Sequence, residues 1–125
     1  MRTLVRHGTV VNADAARPAD VLVDGERIVA LLAPGAADEL GITADVVLDA
    51  TGRYVIPGAV DCHVHLQMPQ GDAVSSDTFE SGTVAAAHGG TTTIVDFAER
   101  VAGGDVRASF DARMAEAEGA CVVDF

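Results

Sequence analysis

From Pro57-Gly58 onward the sequence alternates β-branched runs with helical patterns, and this alternation constrains the fold more than any other feature of the chain. Asp61 to Leu66 reads as a strand and its exit, and Gln67-Met68-Pro69-Gln70-Gly71 as a loop. Asp77-Thr78-Phe79-Glu80 fits a capping box, with Asp77 as N-cap and Glu80 three residues on. A helix follows to about His88, where Gly89-Gly90 can take a left-handed cap and the histidine suits the negative end of the helix dipole. Thr91 to Phe97 is β-branched almost throughout, as in a strand buried on both faces of a parallel sheet. Asp105 then caps a second helix whose Val106, Phe110, Met114 and Ala117 recur at helical spacing and read as core. Gly119 closes it, and Cys121 to Phe125 begins a third apolar strand. Strand and helix in this order start a wound α/β fold.

Ahead of Pro57 the pattern is all strand. Leu4, Val5, Val10 and Val11 flank His7-Gly8, and Val21, Val23, Ile28 and Ala30 flank Asp24-Gly25, a hairpin signal because glycine accepts positive φ. Val46-Val47-Leu48 and Tyr54-Val55-Ile56, separated by a glycine-containing turn, read as a third pair. Residues 1–56 are thus expected to form a small antiparallel β unit, with a helical turn between Ala33 and Ala44, and residues 57–125 a separate α/β portion. His7 reads as a turn or surface residue.

The 125 residues are 49% hydrophobic and 22% charged, a globular composition. A net charge of −11 with only eight Lys plus Arg argues against a nucleic-acid partner. No apolar run is long enough for a membrane span. Cys62 and Cys121 form no CxxC pair or disulfide framework and read as reduced, buried thiols. A soluble cytoplasmic protein is expected.

His63-Val64-His65 carries the chemistry. Side chains alternate along a strand, so Asp61, His63 and His65 are expected on one face. The two histidine Cα atoms then lie about 6.6 Å apart, and the rings can lean to the roughly 3.3 Å nitrogen spacing of tetrahedral zinc. The pair reads either as a chelate or as two ordinary histidines on a half-exposed strand. Asp61 could orient an imidazole from behind. Asp96, at the end of the second strand, could orient the site or simply cap local amides.

Pro57-Gly58-Ala59-Val60-Asp61-Cys62-His63-Val64-His65, with Met68-Pro69, Asp77, Phe79, Gly82-Thr83, Ala85-Ala86 and Gly89-Gly90-Thr91-Thr92 through Asp96-Phe97, resembles the N-terminal part of the hydantoinase and dihydropyrimidinase family of the amidohydrolase superfamily. The resemblance spans essentially all 125 residues. It implies a (β/α)₈ barrel, with a β-sandwich drawn from both chain ends, and a site of two metals, usually zinc, at the barrel mouth. His63 and His65 match the first two ligands. Leu66 and Met68 match a loop that shapes the substrate pocket, while Gln67 and Gln70 stand where related hydantoinases often have other residues. The implied reaction is attack of a metal-bound hydroxide on the ring carbonyl of a cyclic amide, giving an N-carbamoyl amino acid. The family's bridging carbamylated lysine, later histidines and proton-handling aspartate are not matched here; the sequence contains no lysine. A barrel takes about 250 residues, so the chain is expected to be an N-terminal fragment, inactive alone, of a homo-oligomeric enzyme, by family a tetramer. An allantoinase or dihydroorotase relative, or a non-catalytic scaffold, is the alternative.

Overall fold

The computed structural model describes residues 1–100 and 102–125, and Gln70 for its backbone alone. The chain is α/β and divides into two compact units, Met1–Pro57 and Gly58–Phe125.

In the first unit, β1 (Arg2–Val11) pairs antiparallel with β2 (Ala16–Asp24), which pairs antiparallel with β3 (Arg27–Leu32). Gly25, at φ 59°, makes the tight β2–β3 turn, as its lack of a Cβ allows. A short helix, α1 (Ala36–Glu39), follows. Then β4 (Val46–Asp49) and β5 (Tyr54–Val55) both run parallel to β1. The sheet is therefore mixed, and the expected antiparallel unit is corrected on this point. The glycine-containing turn between β4 and β5 does not reverse the chain. It bulges out and returns, so that both strands lie along the same edge of β1.

The expected strand pair around His7 is corrected too: β1 is one strand with a bulge. Val5 pairs with Val21 and Gly8 with Ala19, so β1 spends one extra residue between them. That residue count reverses the in-out alternation. Leu4 packs with Leu22 and Ala37 on one face, whereas Val10 joins Val5, Ala19 and Val21 on the other. His7, at φ 64°, stands at the bulge, and its backbone N–H donates to Oδ1 of fully buried Asp20 at 2.9 Å. A Cβ on Gly8 would come within 2.5 Å of a Val55 methyl, so close packing beside the bulge requires glycine.

In the second unit, β6 (Ala59–Val64) pairs parallel with β9 (Thr91–Asp96), and α2 (Phe79–Gly89) connects them. The small ribbon of β7 (Pro69–Gln70) and β8 (Ala73–Val74) lies in the loop between β6 and α2. After α3 (Val106–Ala117) the chain returns to the sheet, where Asp124 bridges parallel to Thr93. The core comprises Leu66, Phe79, Ile94 and Ala117; burying Phe79 completely contributes about 1.5–3 kcal/mol. The Thr83 hydroxyl donates to the Phe79 carbonyl and accepts the Val122 N–H, tying α2 to the returning segment.

Several local expectations shift. The N-cap of α2 is Thr78, not Asp77: Thr78 Oγ1 accepts from Ser81 N–H at 3.1 Å while Ser81 Oγ accepts from Thr78 N–H at 3.0 Å. Serine answers the threonine in that box, so Glu80 is not its partner. Gly90, at φ 88°, caps the other end and Asp105 caps α3. The α3 stripe is core only at its C-terminal end, since Val106 is 87% and Phe110 51% exposed while Ala117 is buried. Likewise β9 is buried on one face only. The helices cover Ile94, and on the other face Val60 and Val95 are exposed. Cys62 is exposed rather than buried, and Cys121 is half-buried, its thiol pushed up by burial and by the nearby Asp96 charge.

Candidate metal centre

The histidine pair sits where β6 ends. Past Asp61 the alternation is clean, with Val64 and Leu66 packing toward the core and His63 and His65 on the open face beside Phe97. Asp61 is not part of that face. The register shifts between Asp61 and Val64, Asp61 pairing with Ile94 and Val64 with Asp96, and the Asp61 carboxylate accepts the His63 backbone N–H at 3.1 Å. A side chain bonded to an amide two residues on competes with the ladder and produces the irregularity. The expectation that Asp61 shares a face with the two histidines is corrected accordingly.

His63 Nε2 and His65 Nε2 converge to 3.0 Å, close to the roughly 3.3 Å that two imidazoles on one tetrahedral zinc need. His65 Nδ1 lies 2.7 Å from the sulfur of Met68, which is buried. With its proton on Nδ1, facing that sulfur, His65 leaves the Nε2 lone pair for a metal; a partner on the far nitrogen commonly sets the tautomer of a ligating histidine in this way. Phe97 lies against both rings, 5.0 Å from His65 with planes 18° apart and 4.8 Å from His63 with planes 46° apart. Two convergent imidazole nitrogens suit a zinc-like divalent ion, so these residues fit the metal that the resemblance implies. Among the described residues no group of three or more His, Cys, Asp or Glu side chains comes together to hold a metal.

Leu66 gives its side chain to the core and its carbonyl to Arg113. Met68 also lines a cleft with Gln67, Arg100 and Arg113. Asp96 is held by two donors: the Phe97 N–H at 2.8 Å and the Arg113 guanidinium at 2.5 Å. Arg113 was not legible as a site residue, yet it also ion-pairs with Glu116 at 2.7 Å and lies over the Phe79 ring at 4.5 Å. From α3 it thereby clamps the ends of both strands. No sequence signal separates it from the other arginines of a helix surface. His7 belongs to the other unit, where its Nδ1 lies 3.3 Å from Asp49. Thr51, through its hydroxyl and N–H, holds the Asp49 carboxyl down at about 2, with His7 adding to the effect.

The parallel strand–helix–strand unit places the two converging imidazoles at a strand's C-terminal end, the end at which barrel folds of parallel strands carry their sites. Residues 54–125 match the amidohydrolase family. The D-hydantoinase of Streptomyces coelicolor is 50% identical over 99% of this chain and 27% of its own length. Dihydropyrimidinase 2 of Caenorhabditis elegans is 40% identical over all of this chain and 23% of its own length. The crystal structure of dihydropyrimidinase from Brevibacillus agri superposes with a TM-score of 0.88 at 43% identity, covering 99% of this chain and 26% of that one. The chain belongs to the amidohydrolase family and, within it, to the hydantoinase and dihydropyrimidinase group. It spans about a quarter of the length of these relatives.

Proposed function

We propose that this chain contributes the first metal ligands of a cyclic amidohydrolase that opens the ring amide of hydantoins or dihydropyrimidines to N-carbamoyl amino acids. The convergence of His63 Nε2 and His65 Nε2 to 3.0 Å carries the reading. The names of the similar proteins support the substrate class. In this reading residues 57–125 begin a (β/α)₈ barrel, whose sites lie at the C-terminal ends of its strands, and residues 1–56 are part of a β-sandwich.

A bound divalent metal, two zinc ions in the complete site, would polarise the ring carbonyl and supply a nucleophile at neutral pH. This chain's residues hold and aim. His63 and His65 present Nε2, Met68 fixes the His65 ring and borders the substrate pocket, and Leu66 supports that loop by packing. Asp61 and Asp96 act from behind, on the His63 backbone and through Arg113. With no lysine in the sequence, a bridging carbamylated lysine would come from outside these residues. Two free thiols suit the reducing cytoplasm, and among the described residues no helix is long and apolar enough to cross a membrane. Assembly as a homo-oligomer completes the proposal.

The test is intact mass and metal content of the protein from its native source, together with hydrolysis of hydantoin and dihydrouracil. About two metals per subunit and ring opening are expected, both lost in His63→Ala. Ring opening that survives His63→Ala, or protein purified without stoichiometric metal, would refute the reading.

A further inference from the structure

We infer that Phe97 is a positioning residue for the metal ligands, holding both imidazoles so that their Nε2 atoms aim at one point. This inference rests on the metal reading of His63 and His65. The group expected to orient an imidazole, the Asp61 carboxylate, is instead bonded to the His63 backbone. Phe97 touches both rings, with centroids 4.8 Å from His63 and 5.0 Å from His65. The two imidazoles themselves meet edge-on at 4.9 Å and 63°, so the three rings form one aromatic cluster. Offset and edge-to-face contacts of this kind are directional and favourable.

Phe97 is 43% exposed and lies outside the core clusters, so its ring does little to hold the unit together. Its backbone is nevertheless fixed. The Phe97 N–H donates to Asp96 Oδ1, and Asp96 is held by Arg113. A rigid support thus carries an exposed ring against two exposed ligands. Free imidazoles on an open strand sample several rotamers, and binding a metal must stop that motion. A ring that limits the motion in advance reduces the cost of binding.

The experiment titrates Zn²⁺ into the full chain by calorimetry for the unmodified protein, Phe97→Leu, Phe97→Tyr and His63→Ala, with thermal unfolding of each. The metal-free imidazole proton resonances are recorded in parallel. Phe97→Leu should weaken zinc binding about 10-fold, as loss of an orienting partner does, with an unchanged unfolding midpoint. Phe97→Tyr, which keeps the ring, should restore affinity. The imidazole protons should show ring-current shifts in the unmodified chain that vanish in Phe97→Leu. Zinc binding lost in His63→Ala but unmoved in Phe97→Leu would overturn this inference alone. Zinc binding indifferent to His63→Ala would overturn the metal reading and this inference with it, and zinc binding absent from the unmodified chain would overturn this inference. Missing ring-current shifts in the unmodified chain would refute the positioning role even if Phe97→Leu fails to fold.

Discussion

Replacing Arg113 with methionine keeps most of the aliphatic stem and removes the guanidinium that joins α3 to both strand ends. The side chains of Arg113 and Asp96 are 13% and 8% exposed, so their pair is largely withdrawn from water. Breaking a buried pair from one side costs about 3–5 kcal/mol, because the remaining charge is stranded. Here the figure is reduced, since Asp96 keeps the Phe97 N–H. It is raised by loss of the Leu66 carbonyl's donor, about 1–3 kcal/mol where the group is buried. Lost contact with the Phe79 ring adds about 0.5–2 kcal/mol. The Glu116 contact is half-exposed and adds about 0–1 kcal/mol. These terms overlap, and about 2–4 kcal/mol is the expected total. With a urea slope of about 2 kcal/mol per molar, in the middle of the usual range for a small protein, the midpoint should fall by roughly 1–2 M. Asp96→Asn and the double variant complete a thermodynamic cycle, whose coupling should be about 1–3 kcal/mol. A coupling below about 0.5 kcal/mol would mean that water screens the pair as at an ordinary surface, and the clamp would be wrong.

Two further outcomes follow from local geometry. Thr78→Ala should cost about 1 kcal/mol by removing the cap of α2, and Asp77→Ala distinctly less; equal urea midpoints for the two variants would contradict the cap assignment. For pH, Asp49 sits at about 2 when folded against an ordinary 3.8. Its stabilising contribution is complete above 3.8 and is lost as pH falls from there through about 2. Asp38, lowered by its hydrogen bond to Arg6, acts in the same direction. Urea midpoints taken from neutral pH down through this window should decline, and Asp49→Asn should flatten part of that decline; an unchanged slope would show that Thr51 does not hold the carboxylate in solution.

What could be read from the sequence was whatever short-range chemistry determines. The Gly25 turn, the Asp105 cap and the Gly90 cap each depend on a residue and its immediate neighbours, and each is in place. Partner choice is different. The segment from Asp49 to Arg53 carries the residues of a reversing turn, yet β4 and β5 both follow β1. A turn signal reports that the chain leaves a strand and does not say which strand it pairs with on its return. Asp77 and Thr78 are both good capping residues, and the choice between them fell to Ser81, which can answer Thr78 reciprocally.

The same distinction separates the two halves of the candidate site. The histidine pair needs only one regular stretch of alternation, and His63 and His65 share the open face although the register shifts between Asp61 and Val64. Asp61, one alternation step earlier, meets the pair through the His63 backbone N–H rather than through an imidazole. The groups that do bear on the pair arrive from elsewhere in the chain: Phe97 from the end of β9, and behind it Arg113 from α3. Neither is marked by spacing as a neighbour of the pair, because Phe97 lies 32 residues beyond His65 and Arg113 reads as one more arginine on a helix. A convergent histidine pair is thus legible in its spacing, while the groups packed against it are set by the fold. The carboxylate beside the imidazoles in sequence bonds the backbone, and the aromatic ring beside them in space meets both of their rings.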